Sequence, residues 1–168
     1  MKLKRIFGIG LILCSFTTFS QSLFDKYADK EDVEVIEVSK KMFEMFSKIE
    51  ATDTETQEFM QIAKKLTGLK IYTTQNRKIA EQMRADVSSY QKSASLQELV
   101  RVKDKTSNVK FFVREGKNAD HFSELLMYVN SNSSQESVLL TLLGDISLKD
   151  LSVLAQKMKL PKEIAEIE

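Results

Sequence analysis

The sequence predicts an α+β domain: two layers, a mainly antiparallel sheet, and helices packed on one face. Three observations point there. Apolar residues recur at helical spacing through the first half, interrupted by two short β-rich runs. From about residue 96 the pattern shortens to strand-like segments joined by short polar connections. A last helical pattern, opened by a capping signature, closes the chain. N-terminal βα units followed by a three- to four-strand meander are therefore expected, all within one domain spanning 21–168. Its core should cover about 22–158, ahead of a short C-terminal tail.

Residues 1–20 stand apart. Lys2, Lys4 and Arg5 precede an apolar run over 6–16, and Thr18 and Ser20 supply small side chains before Gln21. Positive charge, apolar core and small residues, in that order, form a secretory signal pattern. The run is about half the roughly 20 residues that a spanning helix needs. A signal peptide cut between Ser20 and Gln21 is expected, with a periplasmic location and no membrane span in the mature chain. Cys14 offers an alternative, an outer-membrane lipoprotein cut before that cysteine and acylated on it. Leu13 fits such processing badly because the position before the cysteine calls for a small side chain, so Cys14 stays a weak lipidation candidate.

Leu23, Phe24, Tyr27 and Ala28 suit a short helix, and VEVIEV (33–38) a strand. Ser39 caps a second helix, whose Met42, Phe43, Phe46 and Ile49 are expected to pack into the core. A hydrophobic ligand surface is the alternative, since methionine adapts to varied partners. TDTE (52–55) reads as a capping box with Thr52 as N-cap, opening a helix that carries Phe59, Ile62, Ala63 and Leu66 and ends at Gly68. LKIYT (69–73) is a strand. Ile79, Met83, Val87 and Tyr90 then mark a long helix over about 76–91. LQELVRVKD (96–104) is open between strand and helix end. VKFFVRE (109–115), HFSELLMYVN (121–130) and ESVLLTLLGD (136–145) are strands, the last apolar on both sides and hence central. SLKD (147–150) is a second capping box, starting a helix that Pro161 stops.

Composition limits the chemistry. The chain carries 25 basic and 24 acidic side chains, and losing Lys2, Lys4 and Arg5 leaves 22 against 24, a mature net charge near −2. No basic excess marks a nucleic-acid partner. With Cys14 removed the mature chain has no thiol, which excludes cysteine nucleophiles and cysteine metal sites. His121, the one histidine, starts a strand beside Asp120 and Glu124 and reads as an exposed strand-end residue. Asp29, Glu31 and Asp32 cluster without the spacing or turn glycine of a calcium loop, so a solvated turn is the better account. Gly144-Asp145 reads as a turn before the Ser147 cap. No phosphate-binding loop, zinc-protease motif or nucleophile elbow is present, so no cofactor, metal or catalytic residue is assigned.

Across LFDKYADKEDVEVIEVSKKMF (23–43), LKIYTT (69–74), VKFFV (109–113), SELLMYV (123–129) and LLTLLGDISLKDLSVLA (139–155), the chain resembles the domain-of-unknown-function 4252 family of exported proteins from Gram-negative bacteria. The resemblance implies an exported α+β domain and supplies no activity, ligand or catalytic residue. Many relatives look like lipoproteins, a feature from which Leu13 departs. The expected function is a non-catalytic binding or interaction module of the cell envelope, its partner another envelope protein or a small apolar ligand. It predicts an exposed apolar patch or a pocket. The alternative is a small envelope enzyme using carboxylates alone, with Asp29, Asp32 or Asp145, which requires two of these acids to converge in one cleft.

Overall fold

A computed structural model describes residues 20–50, 52–118, 120–131 and 135–157. The expected signal segment before Ser20, with Cys14, and the expected tail after Lys157 lie outside the described residues. Ser20 and Gln21, the expected cleavage pair, open helix α1 (Ser20–Asp25). There follow β1 (Glu34–Ser39), α2 (Lys40–Phe46), α3 (Thr54–Ala63), β2 (Leu66–Thr74), α4 (Arg77–Ser93), β3 (Gln97–Lys103), β4 (Ser107–Glu115), β5 (His121–Ser131), β6 (Ser137–Ser147) and α5 (Leu148–Lys157).

The six strands form one sheet in the order β1-β2-β6-β5-β4-β3, with every neighbouring pair antiparallel. The meander is thus four strands, β3 to β6, and the segment at 96–104 is a strand throughout its pairing with β4. The hairpin β1-β2, split by two helices, adds to the meander through β2 and β6. Central β6 carries the two-sided apolar pattern that its position demands.

The helices do not gather on one face, so the two-layer expectation is corrected. Phe111 and Phe112 are adjacent in β4 and belong to different apolar clusters, because successive strand residues point to opposite faces. Phe43 of α2, Ile62 and Ala63 of α3, and Leu151 and Leu154 of α5 join Phe111 on the first face. Phe24 of α1 and Ile79, Met83, Val87 and Tyr90 of α4 join Phe112 on the second. Alternation within a strand cannot tell which face a distant helix will cover. A bulge between Phe122 and Glu124 resets the alternation in β5, which places Phe122 on the first face with Leu125 and Met127.

Local chemistry sets the helix ends. Asp53, not Thr52, caps α3, its carboxylate accepting from the Thr56 amide at 2.8 Å. The helix stops at Ala63 and Leu66 already belongs to β2, so Gly68 lies in a strand beside a bulge and is no helix terminator. Ser147 and Asp150 form the expected reciprocal box at the start of α5: the Ser147 hydroxyl accepts from the Asp150 amide at 3.1 Å, and the carboxylate accepts from the Ser147 amide at 2.9 Å. Gly144-Asp145 is not a turn. Both residues continue β6, which runs unbroken to Ser147.

Candidate functional site

Helix α2 begins directly where edge strand β1 ends, with the Ser39 hydroxyl capping it from the Met42 amide. It is seven residues long, about two turns, and its buried residue is Phe43, 5% exposed and packed among the first-face cluster. Met42, Met45 and Phe46 of the same helix, and Ile49 in the turn that follows it, stay outside. They are exposed by 42%, 55%, 38% and 57%. The core role expected for Met42, Phe46 and Ile49 is therefore corrected: a short helix at the sheet margin meets too little of the sheet to bury a second stripe. Ile36 on edge strand β1 and Phe59 on α3 extend the apolar exposure beyond α2.

Beneath α2 and α3 lies a cavity of about 210 Å³. Leu125, Met127, Leu140 and Leu142 of the sheet form its floor, and Phe43, Phe59 and Leu154 close over it from three helices. Only Phe, Leu and Met side chains line it. A recess lined by apolar side chains alone suits an apolar occupant. Phe59 both lines the cavity and is exposed at its outer side, so the apolar surface continues from the interior to solvent.

Asp32 and Asp145 do not converge, although Asp32 lines a surface cleft with Glu31, Glu34 and Glu136. Asp32 sits before β1, its carboxylate accepting from the Asn76 side-chain Nδ2 at 2.7 Å and its carbonyl from the Thr74 hydroxyl at 2.6 Å. Asp145 lies near the opposite end of the sheet, where its amide donates to the Lys65 carbonyl at 3.1 Å. Between them β2 runs from beside Gly144 to beside Ser137, a separation on the order of 25 Å at strand rise. Asp29 is exposed in the turn before β1. Among the described residues no group of three or more His, Cys, Asp or Glu side chains is placed to hold a metal ion.

His121 is not the solitary exposed histidine that the sequence suggested. Its Nδ1 lies 2.6 Å from Asp145 Oδ1, with Lys117 at 3.7 Å from the same carboxylate, and the imidazole is half-buried. The bond to His121 holds the Asp145 carboxyl below the usual range. The Ser147 hydroxyl, across from His121 in the register, is committed to the α5 cap.

Sequence reasoning also missed an ion pair with a buried carboxylate. Glu124 is 2% exposed in β5, and it accepts from the Tyr90 hydroxyl at 3.0 Å and from both Nε and an Nη of Arg114. Arg114 also donates to the Ala94 carbonyl at 2.9 Å and so ties the end of α4 to the sheet. Burial works against the arginine's charge, but Glu124 outweighs it and keeps the guanidinium firmly protonated. Each member of this cluster has its partner within the fold, which makes it a structural fastening. The i, i+10 spacing of Arg114 and Glu124 spans a loop and gives no local signal of their contact.

Among the described residues no helix is long and apolar enough to cross a membrane. A family model described as Domain of unknown function (DUF4252) matches residues 27–154. No curated protein matches the chain, and no solved structure matches it.

Proposed function

The chain belongs to the DUF4252 family, whose description names no activity, and we propose that it is an exported, non-catalytic binding module of the cell envelope. On this reading it engages another envelope component through the face built by α2 and α3. The observation that carries the reading is the outward stripe Met42, Met45, Phe46 and Ile49, continued by Phe59. A soluble domain keeps apolar side chains of this size exposed in a group mainly where something docks. Methionine and phenylalanine together suit such a surface, because the flexible thioether adapts to a partner while the ring supplies area. Asp32 and Asp145 lie at opposite ends of the sheet, which speaks against carboxylate catalysis by that pair. Export rests on the charged, apolar and small-residue order of residues 1–20.

Crosslinking in intact cells, followed by recovery of the tagged protein, tests the docking face. Wild type should capture one dominant envelope partner. The double variant Met45→Glu, Phe46→Glu should lose at least nine-tenths of it while unfolding at the wild-type temperature. Equal capture by that variant would reject the face. Fractionation of the same cells tests export: the protein should appear in the periplasmic fraction, shortened by the first 20 residues. Retention in the cytoplasm at full length would reject export, and recovery in the outer membrane with acylated Cys14 would replace the soluble form by the anchored one.

A further inference from the structure

Resting on the reading of the α2–α3 face as a binding surface, the geometry points to a ligand class: the cavity beneath that face seats the end of one alkyl chain, about eight carbons deep. Size and chemistry argue for it together. Apolar cavities of about 150 Å³ accept benzene, with six carbons, so about 210 Å³ accommodates roughly eight. Nothing in the lining offers a hydrogen bond, since Phe, Leu and Met supply all of it. A ligand with a polar group inside would leave that group unsatisfied, which excludes sugars, nucleotides and amino acids as occupants. An amphiphile avoids the penalty by inserting its hydrocarbon end alone.

The entrance fits the same ligand. Phe59 stands between the cavity and solvent, touching both. Outside it, Met42, Met45 and Phe46 keep an apolar surface available to the part of a chain that does not fit inside. A chain longer than eight carbons therefore meets apolar surface first in the cavity and then along α2, with its head group in water. A compact ring would use the cavity and leave this outer surface unexplained.

The test is a titration of the purified protein with 1-alkanols from butanol to decanol, followed by thermal unfolding and by NMR of the methionine methyl groups. A saturable rise in unfolding temperature is expected. The apparent dissociation constant should fall about fourfold for each added methylene up to octanol, and by clearly less for each one beyond it, which is only partly covered on the outer surface. The Met127 methyl signal, inside the cavity, should move by the first additions, ahead of Met45 outside it. Leu69→Phe, which adds volume at a half-buried position of the lining, should abolish the temperature rise. The inference is overturned if wild type shows no saturable response to octanol, if Met45 responds and Met127 does not, or if Leu69→Phe binds like wild type. The wild-type measurements decide the matter by themselves should that variant not fold. Loss of alkanol binding with envelope crosslinks intact would reject the chain site alone. Alkanol binding retained while Met45→Glu, Phe46→Glu captures its partner normally would reject the docking face alone.

Discussion

Single residues carry several of the fold's sharpest constraints. A Cβ added to Gly144 would lie 2.5 Å from the Lys65 carbonyl oxygen and 2.9 Å from the Leu66 Cα, at a backbone φ of +156°. Both contacts are to the backbone of the neighbouring segment, which cannot move aside as a side chain would. Gly144→Ala should therefore lower stability by about 2 kcal/mol or more, read from urea unfolding; a loss under half of that would show that β2 and β6 can part at this point. Acids set a second constraint. Burial opposes the Asp150 charge, but the Lys65 ammonium at 2.8 Å and the Ser147 amide and hydroxyl outweigh it and hold this carboxyl below the usual range. His121 does the same for Asp145. Folded values below the unfolded value of about 3.9 mean that their stabilisation is complete above that pH and is lost as pH falls through the folded values. Urea unfolding from pH 7 to 2.5 should thus show wild-type stability dropping below about pH 4. Asp145→Asn, Asp150→Asn should be less stable at pH 7 and show a shallower drop; an unchanged acid slope would exclude these two carboxyls as its source.

At the scale of elements, α2 divides its work between two sides. Phe43 faces the core, so Phe43→Ala should cost about 3–5 kcal/mol. Phe46, three residues on and 38% exposed, should cost less than about 1 kcal/mol as Phe46→Ser. The ratio of the two urea-unfolding losses checks the orientation of the helix: comparable losses would mean that Phe46 is buried and that the apolar face is not available for docking. Helix α5 is the opposite case. Its Ser147–Asp150 box and its buried Leu151 and Leu154 follow directly from residues within one turn of each other, and both were legible in the sequence. The same kind of signature at Thr52 pointed one residue too early, because Asp53 is an equally good acceptor next to it and the geometry of the chain's approach chose between them.

For the whole molecule, the sequence by itself determined the α+β class and a meander of three or four strands before the last helix, because these follow from local periodicity and from capping and turn residues acting within a few positions; that 96–104 is its fourth strand was decided by pairing with β4. It also placed Ile79, Met83, Val87 and Tyr90 correctly as the buried stripe of a long helix, where seventeen residues leave little ambiguity of phase. Tertiary structure alone decided which face of the sheet each helix covers, since both faces of β4 and β6 are apolar and either could have received them. It decided that Arg114 and Glu124 meet, and that Asp32 and Asp145 lie at opposite ends of one sheet. It also decided that the Met/Phe stripe of α2 faces outward above an apolar cavity. An apolar side chain has the same sequence signature whether it is buried by its own domain or kept for a partner. Only the position of α2 at the sheet's margin, set by contacts distant in sequence, separates the two.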